Sequence, residues 1–259
     1  MVHNRLKDLL AAGKPAIGAQ LRFGSPAIAE LFGYAGYDWL VIDTEHAPQT
    51  PPGVQAQIQA IAISGATPVV RISKIDEEQI RLYLDMGAMG IMAAMVSRPE
   101  EAKTGAQACR YPPEGTRGWG PHRAAKFGLE PQKYTTEIAP DVVFIPLIET
   151  AEAVTNIDAI LAVSGVDTFV IGAVDLSFSV GSPFDYESEQ FREAQDTVLA
   201  AAARAGIPAG GGILGSPTDP QALAEALAHG FRTILIGGDE PLLADSCSKI
   251  QAVLSNLRE

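Results

Sequence analysis

Cysteine is scarce: Cys109 and Cys247 are the only two in 259 residues. That excludes a dense disulfide scaffold and a thiolate zinc site, and it suggests a reducing compartment in which both thiols serve packing. Basic runs are missing as well. Asp and Glu number 31 against 19 Lys and Arg, a formal net charge of −12, so nucleic acid and anionic lipid surfaces are not expected as partners. An anionic small molecule would meet the same repulsion unless its site supplied local positive charge. No apolar run reaches the length of a membrane-spanning helix. The amino end, MVHNRLKDLLAAGK, reads as a short amphipathic helix without the apolar core and cleavage site of a signal peptide. A cytoplasmic protein is expected.

The chain does have many short apolar runs, each followed by a polar or Gly-rich junction and then an alanine-rich stretch with helical spacing. Eight runs stand out: AIGAQL (16–21), WLVID (39–43), PVVRI (68–72), IMAAMV (91–96), VVFIPLI (142–148), TFVIG (168–172), AGGGI (209–213) and TILIG (233–237). Their continuous hydrophobicity predicts strands buried on both faces, as in a parallel sheet covered by helices. Helices are expected over Pro26–Ala35, Glu77–Met86, Pro99–Arg110, Ala151–Val163, Ser188–Ala205, Asp219–His229 and Pro241–Leu257, after the helix at the amino end. Several close on a glycine suited to a left-handed C-cap, namely Gly36, Gly87, Gly206 and Gly230. With no linker-like stretch to divide it, the whole chain, 1–259, reads as one α/β domain, a (β/α)₈ TIM barrel with an extra N-terminal helix. A doubly wound open sheet is the rival, but no G-x-G-x-x-G follows the first strand.

Between the fourth and fifth runs lies a long stretch, about Tyr111 to Pro140, which carries Arg117, Trp119, His122 and Arg123. Long loops in compact domains are usually functional or disordered, and these residues favour function; a structural or subunit-contact loop is the alternative.

Barrel enzymes build their sites at the carboxyl ends of the strands, where polar residues stand out against apolar interiors. The second run ends in DTEH, giving Asp43, Glu45 and His46; the third carries Arg71; the fifth leads to Glu149; the sixth leads to Asp175. Glu149 and Asp175 on neighbouring strands would repel unless protonated or bridged, and a hard divalent ion such as Mg²⁺, with Mn²⁺ or Co²⁺ as substitutes, resolves that repulsion. Capping of the following helices is the plainer explanation. Arg71 inside a strand needs an anionic partner, either a substrate carboxylate or Asp43 or Glu45. His46 alone among the histidines sits just past a barrel strand, whereas His3, His122 and His229 fall in the tail, the long loop and a helix end; it is a candidate acid/base. A Schiff-base mechanism would need a barrel lysine, and the nearest, Lys74, lies just beyond the third strand.

The segments GYDWLVIDTEHAP (36–48), PVVRIS (68–73), LYLDMGAMGIM (82–92), RYPPEGTRGWGP (110–121), IETAEAV (148–154) and VIGAVDLSFSVG (170–181) resemble, in order and along nearly the whole chain, the HpcH/HpaI aldolase family. These are class II pyruvate aldolases that include 4-hydroxy-2-oxoheptanedioate and 2-keto-3-deoxy sugar acid aldolases. The resemblance implies a barrel, usually hexameric, whose last helix packs on a neighbouring subunit. It also implies metal-dependent, reversible cleavage of 4-hydroxy-2-oxo acids to pyruvate and an aldehyde through a metal-bound pyruvate enolate. Residues matching the family motifs take these roles: Glu149 and Asp175 hold the metal, Arg71 holds pyruvate, and His46 is the acid/base, oriented by Asp85. Asp43 lines the site, and backbone around Gly172 and Ala173 is expected to neutralise remaining substrate charge. Many relatives carry glutamine where this chain has Leu147, a departure that bears on acceptor preference or rate. Two other readings stay open. A lyase of acyl-CoA substrates, of the citramalyl-CoA type, would need a basic groove, yet Lys and Arg cluster only in the 110–126 loop. A non-catalytic barrel would bind no metal.

Overall fold

The eight apolar runs close on one another as a parallel barrel in a computed structural model of the chain, which describes residues 4–213 and 220–257. His3 and the expected helix start at Asp219 lie outside the described residues. The strands are β1 (Ala16–Leu21), β2 (Trp39–Asp43), β3 (Thr67–Ile72), β4 (Gly90–Ala93), β5 (Val143–Ile148), β6 (Val170–Ile171), β7 (Ala209–Gly212) and β8 (Phe231–Gly238), and they ring the barrel in chain order. Around and below them run α1 (Arg5–Ala11), α2 (Pro26–Tyr34), α3 (Pro51–Ser64), α4 (Glu77–Met86), α5 (Pro99–Ala108), the single turn α6 (Pro131–Lys133), α7 (Ala151–Thr155), α8 (Ile157–Leu161), α9 (Ala173–Ser179), α10 (Glu189–Ala205), α11 (Pro220–Ala228) and α12 (Asp239–Asn256).

Side chains alternate along each strand, so one set fills the barrel and the other meets the helices. The inner set includes Ala16, Trp39, Val41, Val69, Met92 and Ile145, all buried, with Leu6 of α1 closing the amino-terminal end. The outer set packs against the helix layer, for example Ile42, Val70 and Phe144 with Ile58, Ile80 and Ala106. The inner alternation carries on to the strand ends, which puts Gln20, Asp43, Arg71 and Glu149 in the mouth.

Local chemistry explains where the elements depart from the sequence reading. Helix α3 was not foreseen. It starts on two prolines capped by Thr50, whose hydroxyl accepts from the Gly53 amide, and it stops at Gly65 with φ of 81°. The four anticipated cap glycines all have positive φ. The helix expected over Ala151–Val163 is broken at Asn156, whose side chain donates instead to the Ser97 carbonyl at 2.9 Å. Strand β4 ends early because the chain turns at Met95, with φ of 58°.

The long stretch before β5 does not reach the mouth of its own barrel. Helix α5 runs back against the strands, so the residues between Ala108 and Val143 cover the opposite, amino-terminal end. Arg117 is buried there, donating to Asp85 Oδ1 at 2.7 Å and to the Tyr134 hydroxyl at 2.8 Å, with its guanidinium 4.7 Å from the Tyr111 ring centre. These residues organise a packed subsite, and Trp119, Phe127 and Leu129 remain exposed beside it. Helix α12 also leaves apolar side chains uncovered: Leu243, Ile250, Val253, Leu254 and Leu257 are exposed, and of its own residues only Asp239 is buried. The cysteines differ. Cys109 is buried, which pushes its thiol up to about 12, whereas Cys247 is exposed on α12 and does not pack. Among the described residues no helix is long and apolar enough to cross a membrane.

Gly18 shows how tightly the barrel interior is filled, because a Cβ there would lie 2.4 Å from the buried Trp39 ring. Gly18→Ala is expected to destabilise the protein by roughly 1–3 kcal/mol, the usual cost of overpacking, read as a lower urea midpoint.

Candidate active site

Asp43 closes β2, fully buried, and its carboxylate gathers the surrounding mouth residues. Oδ2 accepts from Gln20 Nε2 at 2.7 Å and from Arg22 Nε at 3.2 Å, and it lies 3.8 Å from Arg71 Nη1. Oδ1 accepts from the backbone amides of Glu45 and His46, each at 3.0 Å, which folds the chain after β2 into a tight turn. Asp43 and Arg71 are register partners on adjacent strands, so the pairing is built into the sheet.

Arg71 is also bound by Glu45, with Nη2 to Oε2 at 2.5 Å. The ion pairs that could explain a guanidinium inside a strand are therefore present. They do not satisfy it: Arg71 Nε is buried and has no hydrogen-bond partner among the described residues. The residue also lines the open cavity, where a guanidinium can meet an incoming anion. His46 sits at the rim with its side chain half exposed, Nε2 lying 3.5 Å from Glu45 Oε2.

Glu149, one residue beyond β5, is buried, and its Oε1 accepts from the Met95 amide at 2.7 Å. The left-handed turn at Met95 presents that amide, a strained conformation for a non-glycine residue beside a polar site. Glu149 does not cap α7, a task performed by Thr150. Asp175 lies in the first turn of α9, where a carboxylate does complement the helix. Gly172 lets β6 approach, since a Cβ there would fall 2.4 Å from Glu149 Oε2, and its own amide is committed to the Ile148 carbonyl at 3.1 Å. Gly172 thus serves this site by its lack of a side chain; Ala173 follows it on the wall.

Arg71, Glu149, Asp175 and His46 all line one cavity of about 510 Å³, with Leu147, Val170 and Leu235 among its apolar walls. Among the described residues no three of His, Cys, Asp and Glu assemble into a ligand cluster, so the carboxylates Glu149 and Asp175 face this space as a pair. Asp85 is not part of it. One residue from the end of α4, it sits at the opposite end of the barrel against Arg117, and within one chain it cannot orient His46. The sequence reading also missed two mouth residues, Gln20 and Arg22. The signal was a polar glutamine and a following arginine at the end of an otherwise apolar first run.

Burial pushes the Glu149 carboxyl up from 4.5 to about 7, opposed by the Met95 amide and Arg71 and reinforced by Asp175 and Glu45. A carboxyl raised on folding favours the native state while protonated, and that contribution is lost as pH climbs from the unfolded to the folded value. In buffer free of divalent cations the protein is therefore expected to lose urea stability between pH 4.5 and about 7, and Glu149→Gln should flatten that slope; parallel slopes would contradict it.

Comparison with known proteins identifies the family. The family model described as HpcH/HpaI aldolase/citrate lyase matches residues 21–245. A 4-hydroxy-2-oxovalerate aldolase of Rhodococcus jostii (strain RHA1) is 39% identical, over 96% of this chain and 95% of its own. A 4-hydroxy-2-oxo-heptane-1,7-dioate aldolase of Klebsiella pneumoniae subsp. pneumoniae is 38% identical, over 97% and 94%. The crystal structure of an HpcH/HpaI aldolase/citrate lyase family protein from Burkholderia cenocepacia J2315 superposes with a TM-score of 0.89 at 32% identity, covering 99% of this chain and 100% of that one. The chain belongs to the HpcH/HpaI aldolase/citrate lyase family.

Proposed function

We propose that this chain is a metal-dependent aldolase that reversibly cleaves 4-hydroxy-2-oxo acids to pyruvate and an aldehyde. The observation that carries the reading is the meeting of Arg71 and the Glu149–Asp175 pair on one cavity. The relatives named as 4-hydroxy-2-oxo acid aldolases support it.

Arg71 binds the carboxylate of the pyruvate half, and Gly172 and Ala173 bring backbone close to it. Asp43, expected to line the site, is instead fully buried behind it and serves by holding Arg71 in place. Glu149 and Asp175 suit a hard divalent cation such as Mg²⁺, Mn²⁺ or Co²⁺: both offer carboxylate oxygens, and the buried Glu149 carboxyl, raised by burial, gains a counter-charge. When bound there, such a cation supplies Lewis-acid polarisation of the 2-oxo group. His46 takes the proton from the C4 hydroxyl, whose O–H electrons form the aldehyde carbonyl as the C3–C4 bond breaks. The pair from that bond passes into C2–C3 to give the enolate of pyruvate, and a proton delivered to C3 completes the product.

For Asp85 to orient His46, it must come from a neighbouring copy of the chain. The exposed apolar side chains on α12 and around Trp119, Phe127 and Leu129 support such an assembly, a homohexamer as in the family. Two free cysteines fit a reducing compartment, the cytoplasm. An acyl-CoA substrate is not favoured, because the Lys/Arg-bearing loop lies at the end of the barrel away from the mouth.

Metal-stripped enzyme should release no pyruvate from a panel of 4-hydroxy-2-oxo acids until Mg²⁺, Mn²⁺ or Co²⁺ is returned. Arg71→Ala and Glu149→Ala should each abolish cleavage with the fold retained, whereas His46→Ala, open to replacement by water, should retain a residue of activity. Undiminished release without metal would overturn the Glu149–Asp175 assignment and return attention to a lysine such as Lys74.

A further inference from the structure

The aldolase reading anchors the pyruvate half of the substrate between β3, β5 and β6 and leaves the aldehyde half undefined. In a closed ring of eight strands β1 stands opposite β5. The C4 end of a substrate held by Arg71 and the Glu149–Asp175 pair would meet β1 on extending across the mouth. Its path is floored by Leu147, Val170 and Leu235, which offer no hydrogen bond, and Gly212 leaves open space beside it.

Arg22, the first residue beyond β1, lines the cavity on that side. Its guanidinium is fixed on two edges, Nε to Asp43 Oδ2 at 3.2 Å and Nη1 to Glu240 Oε2 at 3.1 Å. Its backbone amide is held by the buried Asp239 carboxylate, at 2.9 Å to Oδ1 and 3.1 Å to Oδ2. Nη2 makes no hydrogen bond among the described residues, and the side chain is 35% exposed. The Glu240 side chain is 52% exposed, so its ion pair is a surface contact that a bound anion can displace at little cost. A guanidinium held this way is preorganised to receive a planar carboxylate.

We infer that Arg22 determines acceptor specificity by binding a carboxylate on the aldehyde half, so that the enzyme prefers 2-oxo dicarboxylates releasing an anionic semialdehyde. Overall similarity does not decide this point, since relatives at 39% and 38% identity are named for a monocarboxylate and a dicarboxylate substrate. The inference rests on the aldolase reading. Glu240 acts as the stand-in for the substrate carboxylate.

The test uses metal-loaded, full-length enzyme and a matched pair of 4-hydroxy-2-oxo acids, one ending in a carboxylate and the other in an uncharged group of equal length. Wild type should favour the carboxylate. Arg22→Met should lower kcat/KM for the carboxylate substrate at least about tenfold more than for its uncharged partner, chiefly through KM. Glu240→Gln should move the ratio the other way, and it carries the test alone if Arg22→Met does not fold. Equal losses on both substrates in Arg22→Met, or an unchanged ratio in Glu240→Gln, would overturn the inference. Exchange of pyruvate C3 protons with D₂O by wild type needs no acceptor and separates the two claims. Exchange without charge preference overturns the Arg22 assignment alone; no exchange overturns the aldolase reading and this inference with it.

Discussion

A single buried carboxylate sets the geometry of the mouth. Asp43 is fully buried at the end of β2, and a charge in that position persists only if its surroundings satisfy it. Gln20 and Arg22 from β1, Arg71 from β3 and the amides of Glu45 and His46 all converge on its two oxygens. Because those groups come from three adjacent strand ends, satisfying Asp43 also fixes the only two arginines that line the cavity among the described residues, together with the turn that carries the histidine. The charge of the site is thereby made local in a chain whose overall balance is −12.

The mouth divides into two halves with different chemistry. On the β5–β6 side stand the carboxyl groups of Glu149 and Asp175, and burial raises the cost of ionising Glu149. Met95 in its left-handed turn and Gly172 without a side chain are local concessions that let the carboxylate be held and approached. On the β1–β3 side, Arg22 and Arg71 face the cavity with guanidinium groups. A substrate that is anionic at one end and oxygen-rich at its reacting carbons fits this polarity, with Leu147, Val170 and Leu235 as the apolar walls between the two halves.

The barrel was legible because eight apolar runs and glycine caps repeat a local signal, and Gly36, Gly87, Gly206 and Gly230 adopt the predicted positive φ. Asp43, Arg71, Glu149 and Asp175 were legible for a related reason: a charged residue at the end of an apolar strand has few places to point except the mouth. What failed depended on contacts distant in sequence. The helix break at Asn156 coincides with a side-chain hydrogen bond to Ser97, and the early end of β4 accompanies the Met95 turn onto Glu149. Arg117 stood out in the sequence, and its partners Asp85 and Tyr134 place it at the end of the barrel away from the mouth of its own chain. Arg22 passed unnoticed because its meaning lies in Glu240, 218 residues away.

The central claim, that Asp43 organises the proposed substrate-binding half independently of the proposed metal-binding half, is tested most directly by Asp43→Asn assayed for both properties. The account predicts Mn²⁺ affinity close to that of wild type, since neither Glu149 nor Asp175 bonds to Asp43. It predicts a fall in kcat/KM on the order of 10²-fold as Arg71 and His46 lose their fixed positions. Undiminished turnover, or a loss of metal binding that accounts for the lost turnover, would contradict it.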